Sequence, residues 1–345
     1  MDIGTIEWLE RFIQQTSIPV IFVSHDETFI SNTANAIIHI ELTNRKQTPK
    51  YTFTREPYES YLFHRENNLQ KQEQIAKKQV SDYKKQVNKW HDVWNKAEHQ
   101  NVSRSDPRLQ KKIKSLKNQK KRMDKATEDF LEIPGVEEAS EFHFDSTIHV
   151  HRHKKILELS LETLEIANKQ LSQNIKLSIT GEEKVAIIGE NRIGKSTLLK
   201  IIMDQIKEHS SLKIGYMPQN YEDLLDPTLS PIRFLVTTGE KEAMTKAFTH
   251  LGSMKFTSDE MQQTIRHLSG GQKAKLLLVK MIMDGCEVLI LDEPTRNFSP
   301  LTTPVLCQAL AQYGGAIISV SHDRRYLKEV ASTIYELTSE GLTKK

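Results

Sequence analysis

The segment that most restricts the fold of this chain is residues 185–199, VAIIGENRIGKSTLL. Its first four residues, 185–188, are apolar and predict a buried strand, and a helical pattern follows the loop. Between strand and helix stand the residues of the P-loop spacing, Gly189, Gly194, Lys195 and Ser196. Glycines let backbone N–H groups turn toward phosphate oxygens, and the start of the helix adds positive potential. The segment therefore predicts an α/β fold that binds nucleotide phosphates.

A pair of carboxylates ends a second apolar run, in EVLILDEPT at residues 287–295. Beside a P-loop, this is the Walker B arrangement. Lys195 is expected to reach the β- and γ-phosphates, whereas the Ser196 hydroxyl and Asp292 are expected to hold Mg²⁺. Glu293 is expected to polarise the attacking water as a general base. The alternative is a buried strand followed by an acidic turn.

A second candidate anion site is LSGGQ at residues 268–272, just before an apolar helical stretch. Small residues at a helix start let backbone donors approach a phosphate closely. Alone this sequence is a common loop, but it stands roughly 20 residues before the carboxylate pair, as a signature motif would. The residues predicted to bind there are Ser269, Gly270, Gly271 and Gln272.

Two polar residues follow further predicted strands. Gln219, in KIGYMPQN, is placed to contact Mg²⁺ and the attacking water, and His322, in SVSHD, is placed to contact the γ-phosphate. The alternatives are a surface glutamine and a structural histidine. Arg192 stands where a third P-loop glycine is common, so it either adds a cation near the phosphates or is simply solvated.

The middle of the chain has a different composition. Residues 65–128 carry 18 Lys and Arg against 8 Asp and Glu, a net charge of +10, so the remainder carries −7 of the total of +3. No glycine occurs between Gly4 and Gly135, and no proline between Pro57 and Pro107. A long stretch without these breakers and rich in Lys, Gln and Glu predicts long helices.

Apolar residues in this stretch follow a heptad pattern on both sides of a polar break at residues 97–107. They are Val80, Tyr83, Val87, Trp90 and Trp94, then Leu109, Ile113, Leu116 and Met123. The pattern predicts an antiparallel helical hairpin with both tryptophans packed in its seam. It is either a solvated coiled coil or a basic arm that binds nucleic-acid phosphates, with His99 and the tryptophans available for stacking.

An internal repeat flanks this hairpin. Residues 19–42 and 314–337 both run as an apolar segment, Ser-His-Asp, a short helical stretch and a second apolar segment. We expect a strand, the SHD loop, a short helix and another strand in each copy. The second copy ends a complete domain, whereas the first has only 18 residues before it.

Composition excludes several classes of protein. Hydrophobic residues make up 37% of the 345 residues, and no apolar run approaches the roughly 20 residues that span a bilayer. The two cysteines, Cys286 and Cys307, form neither a disulfide framework nor a zinc motif. The first residues are acidic and amphipathic, unlike a secretory signal. These features predict a cytoplasmic protein without a membrane domain.

In this order, Gly189–Thr197, Gln219, LSGGQ, LILDEPT and SVSHD resemble an ABC-type ATPase domain covering about residues 150–345. The repeated SHD, the missing membrane domains and the charged hairpin between the copies resemble the ABC-F group. Its members join two ATPase domains by a helical linker and act on the ribosome. The resemblance implies ATP and Mg²⁺ as cofactors. It also adds three nucleotide-binding residues, Asn191, Thr197 and His25.

The resemblance implies a fold class of α/β type: a P-loop ABC nucleotide-binding domain preceded by a long antiparallel α-helical hairpin and a partial first ABC domain. The expected boundaries are 1–50 for the remnant of the first ATPase domain, 51–135 for the basic linker and 136–345 for the complete second domain. Residues 1–12 resemble the stretch after a first Walker B, with Asp2 as its coupling aspartate. The chain would then be N-terminally truncated.

A finer resemblance lies in LDEPTRNFSP at residues 291–300. It is similar to the second domain of the antibiotic-resistance branch, which protects ribosomes from lincosamides, streptogramin A and pleuromutilins. That implies a ribosomal partner, with the linker tip near rRNA in the tRNA exit region. Two departures stand out: Ser299 replaces the usual coupling aspartate, and LSLETLEIANKQLSQ lacks the adenine-stacking aromatic. The nucleotide could therefore be ATP or GTP.

Family members hydrolyse ATP at two composite sites, each pairing one domain's P-loop with the other's signature. Turnover here would need a second copy or the missing N-terminal half. Three other interpretations stay open: a housekeeping translation factor of the same family, a non-catalytic nucleotide-binding remnant, and a transporter or chromosome-maintenance ATPase. The last is the weakest, because the coil has no CxxC hook and does not split one ATPase domain.

Overall fold

The computed structural model describes residues 2–43, 48–98, 107–127, 142, 144, 148–166, 169–209, 211–236 and 240–345. These form two compact units, one from Met1–Thr33 and Glu137–Lys345 and the other from Ala34–Val136. No helix among these described residues is long and apolar enough to cross a membrane.

The regular elements are numbered in chain order. The strands are β1 Ile37–Thr43, β2 Thr48–Thr54, β3 Lys155–Ile166, β4 Lys169–Thr180, β5 Lys184–Gly189, β6 Ile214–Met217, β7 Val288–Asp292, β8 Ala316–Val320, β9 Thr333–Thr338 and β10 Gly341–Lys344. The helices are α1 Ile3–Gln15, α2 Glu27–Thr33, α3 Tyr58–Glu98, α4 Pro107–Ala126, α5 Lys195–His209, α6 Pro231–Leu235, α7 Lys241–Ser253, α8 Ser258–Gln262, α9 Gly270–Asp284, α10 Thr303–Gln312 and α11 Arg324–Glu329.

The larger unit is built on a six-stranded sheet in the order β10-β9-β5-β8-β7-β6. Five strands are parallel, and β10 closes one edge antiparallel to β9. Every residue of β7 and β8 is buried, as expected of central parallel strands covered on both faces. A separate antiparallel ribbon pairs β3 with β4. The strands and helices predicted around the P-loop, the carboxylate pair and the signature are all present.

The smaller unit contains a β-ribbon and a helical hairpin. Strands β1 and β2 pair antiparallel, from Ile37 opposite Thr54 to Thr43 opposite Thr48. The two long predicted helices are α3, of 41 residues, and α4, of 20 residues. Residues 99–106 of the predicted break at 97–107, including His99, lie outside the described residues.

The contacts between α3 and α4 confirm the antiparallel hairpin. Tyr83 donates a hydrogen bond to Asp124 at 2.6 Å. About two turns further along α3, Trp90 Nε1 donates to the Leu116 carbonyl at 2.9 Å. The partner number falls as the α3 number rises, so the helices run in opposite directions. Trp90 and Trp94 stack with ring centroids 5.1 Å apart and pack against the buried Leu116, as predicted for the seam.

One predicted strand is absent. Residues 19–23 were expected to form a strand like β8, but they are irregular, and Ile21 and Val23 are 91% and 94% exposed. The rest of the first copy does form its helix and second strand, α2 and β1. β8 is a strand because β5 and β7 flank it, whereas residues 19–23 have no neighbouring strand among the described residues. An isolated apolar segment cannot satisfy its backbone by pairing.

We expect Leu116→Ala to destabilise the hairpin by about 2–4 kcal/mol, because it removes a buried side chain from the seam between α3 and α4. Hydrogen exchange of α3 and α4 amides measures this local opening. Val93→Ala is the matched control, because Val93 is 42% exposed on α3, and its effect should stay below about 0.5 kcal/mol. Similar losses of protection in both variants would contradict the proposed seam.

Candidate functional site

The candidate site lies where parallel strands end at one edge of the six-stranded sheet. Such edges are where open α/β sheets bind ligands. The P-loop follows β5, the two carboxylates end β7, and the SHD loop follows β8. A cleft opens at this edge and consists of two adjoining pockets, one of about 640 Å³ and the other of about 940 Å³. The larger pocket is lined by these predicted residues: His25, Asn191, Gly194, Lys195, Ser196, Thr197, Gln219, Asp292, Glu293 and His322. Gly189 lines the smaller one with Asn191.

The lysine of the P-loop is held in place by its own backbone. Lys195 Nζ donates to the carbonyl oxygens of Gly189 at 2.8 Å and Glu190 at 2.7 Å. The residue is only 8% exposed, and burial lowers the pKa of its ammonium group, a change that the charge of Glu293 opposes. Because its two hydrogen bonds end on neutral oxygens, its charge is available to an anion in the cleft.

The two P-loop glycines are required by backbone geometry. Gly189 has φ of +152°, and a Cβ there would lie 2.5 Å from the Leu337 carbonyl oxygen. Gly194 has φ of +102° and no room beside Leu164. Arg192 also has positive φ, +68°, although its side chain makes that conformation costly. The position therefore suits the glycine that is common there, and the exposed arginine lines the cleft.

Asp292 and Ser196 meet at the base of the cleft. Asp292 is 3% exposed, and burial raises the pKa of its carboxyl group, which a hydrogen bond from the Ser196 side chain partly offsets. Across the described residues, no cluster of three or more His, Cys, Asp and Glu side chains could hold a metal ion. A hydroxyl beside one buried carboxylate is the protein share of a Mg²⁺ site that takes its other ligands from phosphates and water.

Glu293 and His322 form the second pair. His322 Nε2 lies 3.6 Å from Glu293 Oε1, and the His322 backbone N–H donates to Glu293 Oε2 at 3.4 Å. Burial raises the pKa of Glu293 to about 7. Burial, together with the charge of Lys195, lowers the pKa of His322 to about 4. At neutral pH the histidine is therefore neutral, whereas the glutamate is poised between its two forms.

The signature residues lie outside the cleft that holds Lys195. Ser269 caps α9 in a capping box with Gln272, whose N–H donates to the serine hydroxyl at 3.3 Å. Gly270 lines a neighbouring pocket of about 340 Å³, and Gln219 lines both pockets. The structure thus brings Gln219 beside the P-loop residues and leaves the signature apart from them.

Asn297, which is not among the predicted site residues, covers the signature glycines. A Cβ on Gly271 would lie 2.7 Å from the backbone oxygen of Asn297, and one on Gly270 would lie 3.3 Å from its side-chain oxygen. Asn297 also donates to the Tyr221 hydroxyl at 2.9 Å. Close packing therefore requires small residues here in addition to any anion binding. The unusual RNFSP sequence was the available signal for this contact.

Asp2 lies beside the P-loop. Its carboxylate caps α1 by accepting a hydrogen bond from the Thr5 N–H at 2.8 Å. The hydrogen bonds from Thr5 lower the pKa of Asp2, and a hydrogen bond from the Asn191 backbone has a smaller effect in the same direction. Two residues of the first SHD segment, Val23 and His25, line the larger pocket. Residues near the start of the chain thus contribute to the wall of the cleft.

The ABC transporter family matches residues 172–296. YdiF of Bacillus subtilis is 30% identical over 356 residues, which span 99% of this chain and 51% of YdiF. ABC transporter F family member 5 of Arabidopsis thaliana is 27% identical over 98% of this chain and 47% of its own length. The ATP-binding protein Uup of Buchnera aphidicola is 28% identical, over 99% and 55%.

Residues 172–296 are therefore similar to ABC transporter ATP-binding domains, and the relatives of the chain include proteins named as ABC-F members. The predicted α/β P-loop fold of ABC type, accompanied by a helical region, is confirmed. The chain spans about half the length of the curated relatives it matches.

Glu293 and His322 should give opposite pH dependences of stability. The raised pKa of Glu293, about 7 against 4.5, makes a stability contribution that is lost as pH rises through 7. The lowered pKa of His322, about 4 against 6.5, makes one that is lost as pH falls through 4. Between pH 4.5 and 6.5 the two effects oppose each other.

We expect Glu293→Gln to make unfolding free energy rise more with pH than in the unchanged chain, and His322→Gln to make it rise less. Each change in slope is at most about 1.4 kcal/mol per pH unit. Urea unfolding of the nucleotide-free chain at several pH values between 4.5 and 6.5 measures both. Parallel pH profiles for the two variants would show that burial does not shift these groups.

Proposed function

We propose that this chain binds ATP with Mg²⁺ in the cleft at the sheet edge and takes part in ATP hydrolysis. The observation that carries this proposal is the buried ammonium of Lys195, held by two neutral carbonyls in a cleft shared with Asp292 and Glu293. A buried cation next to open space is a site for a polyanion. The match of residues 172–296 to the ABC transporter family supports the same assignment.

Each residue then has a role. Lys195 and the N–H groups of the P-loop, Gly189 to Thr197, bind the phosphates. Ser196 and Asp292 would hold Mg²⁺, with Gln219 facing it from the end of β6, and the ion would neutralise phosphate charge. Glu293 accepts the proton of the attacking water, because a pKa near 7 suits a general base. His322, neutral at pH 7, hydrogen-bonds the terminal phosphate.

The site is expected to distinguish poorly between nucleotide bases. Ile166, Lys169 and Leu171 line the cleft at the turn between β3 and β4, and none of them is aromatic. Aliphatic contacts supply area but no hydrogen bonds that distinguish adenine from guanine. ATP and GTP should therefore bind with similar affinities.

On this proposal the chain holds 1–50 as the remnant of a first ATPase domain, 51–135 as a basic linker and 136–345 as the second domain. Ser269, Gly270, Gly271 and Gln272 would then bind the nucleotide of another P-loop, supplied by a further ATPase domain or by a second copy of this chain. Turnover by this chain alone would be slow. The competing function is a nucleotide-binding remnant that does not hydrolyse.

We expect the purified chain to bind a fluorescent ATP analogue in a Mg²⁺-dependent manner, and Lys195→Ala to weaken binding by at least tenfold because it removes the buried cation. Lys200→Ala is the matched control, since Lys200 is an exposed lysine one turn further along α5. Equal binding by both variants would refute the site. Phosphate release, measured on the same samples, separates the ATPase from the remnant: sustained turnover by the monomer excludes the remnant.

The partner that we propose is the ribosome, reached through the arm formed by α3 and α4. Residues 65–128 carry a net charge of +10, which suits a phosphate-rich surface. ATP would favour the bound state and hydrolysis would release it. In its finer form, the proposal is ribosome protection against lincosamides, streptogramin A and pleuromutilins, for which the RNFSP sequence at 296–300 is the support. A housekeeping translation factor would bind the ribosome without conferring resistance.

We expect Glu293→Gln to increase sedimentation of the chain with ribosomes in ATP, because loss of the general base should trap the bound state. Raising salt from 50 to 200 mM should weaken the association, as counterion release requires. Absence of ATP-dependent sedimentation for this variant would count against the ribosomal role. Drug susceptibility of cells expressing the chain then separates the two forms of the proposal: resistance supports protection, and unchanged susceptibility with sedimentation supports the housekeeping factor.

A further inference from the structure

We propose that Arg324 and Arg325, at the start of α11, form a dibasic dock for the acidic surface of α1 and α2. We further propose that this match of charges selects residues 3–33, which contain α1 and α2, as the partner of the loop that holds His322. The acidic surface consists of Glu10, Asp26 and Glu27. The inference concerns recognition between the two copies of the repeat and is independent of nucleotide binding.

Arg324 makes the central contact. Its guanidinium donates to both carboxylate oxygens of Glu10, at 2.5 Å and 3.3 Å, in the forked geometry that arginine and carboxylate share. Asp26 lies 3.6 Å from the same guanidinium. Glu10 is only 8% exposed although it is charged, so its pairing matters more than that of a surface ion pair. Glu10 also accepts from Asn32 at 3.3 Å, which ties α1 to α2 at the same point.

Arg325 makes the second contact. It forms an ion pair with Glu27, the first residue of α2, whose side chain is largely shielded. Its Nε donates to Glu329 one turn along α11 at 3.0 Å, which fixes the direction of the side chain. Two neighbouring arginines thus bind separate carboxylates, one on each acidic helix. Two charged contacts define an orientation, which one contact cannot do.

The dock is joined to the site through the SHD loop. Asp323 caps α11 by accepting from the N–H groups of Arg325 at 2.9 Å and Tyr326 at 3.1 Å. His322 therefore stands two residues before the first arginine of the dock. On the other side, Asp2 of the docked segment meets the backbone of Asn191 in the P-loop. The segment therefore contacts both the start of α11, two residues after His322, and the phosphate loop.

The repeat explains why the match is selective. Its first copy reads Ser24-His25-Asp26-Glu27, and its second reads Ser321-His322-Asp323-Arg324-Arg325. The residue after the shared SHD is thus acidic in one copy and basic in the other. A second α11 surface offered to the dock would present arginines where Glu27 stands, and like charges at close range repel. The dock therefore accepts the acidic copy and rejects another copy of itself.

Hydrogen exchange of the full chain tests the proposal, with protection of residues 3–33 as the readout. Arg324→Glu and Glu10→Arg should each reduce that protection at least tenfold, and the double variant should recover most of it, because it restores the pair with the charges exchanged. Lys328→Glu is the matched control: it makes the same charge change at an exposed position of α11 and should leave protection unchanged.

Glu10→Gln covers the case in which charge reversal unfolds the chain, because it keeps the size of the side chain. It should lower protection of residues 3–33 while β7 and β8 remain protected. Two results would overturn the proposal. In one, Arg324→Glu and Glu10→Gln match Lys328→Glu in leaving residues 3–33 protected. In the other, the double variant is no better protected than its two single variants, which would mean that the residues contribute to stability without recognising each other.

Discussion

The site of the larger unit depends on one buried cation held close to two carboxylates that are largely shielded from water. Burial lowers the pKa of Lys195 and raises those of Asp292 and Glu293, because the charged form of each group is less stable there than in solvent. The attraction between Lys195 and the two carboxylates offsets part of this penalty, whereas the carboxylates repel each other. A polyanion with a divalent cation would offset more, since it supplies charges of both signs at short range. The fold thus stores, in desolvated groups, part of the free energy with which it can bind a ligand.

That arrangement follows from sheet topology. Strands β5, β8 and β7 are adjacent and parallel, so their carboxyl ends place the P-loop, His322 and the carboxylates at one edge. Complete burial of β7 and β8 leaves these strands little freedom to shift. The helical hairpin is built on a different principle. Its seam contains few buried residues, among them Ala97 and Leu116, and polar links such as Tyr83 to Asp124 supplement them. A rigid site and a sparsely packed cationic arm therefore occur in one chain.

How much could be predicted depends on whether the determinants are local in sequence. The P-loop, β7 with its carboxylates, and α3 and α4 are each specified by a continuous pattern of apolar, glycine and breaker residues, and all could be predicted. The strand expected at residues 19–23 failed because a strand needs neighbours, which an apolar run cannot specify. The pairing of Arg324 with Glu10 joins residues 314 positions apart, and no pattern within either segment indicates the other. The covering of Gly271 by Asn297 was missed for the same reason.

The position of the signature, residues 269–272, leaves the cleft around Lys195 without the N–H donors of that motif. Gly270 lines a pocket separate from the one that holds Lys195, so within the described residues its backbone donors cannot face a nucleotide bound at this P-loop. Part of the lining of that cleft is supplied by residues 3–33, which contribute Ile6, Val23 and His25. These side chains offer apolar surface and one imidazole in place of a row of N–H groups. A nucleotide bound here would make strong contacts with the P-loop and weak contacts with residues 3–33. A partner that adds N–H donors beside the weak contacts would therefore tighten nucleotide binding.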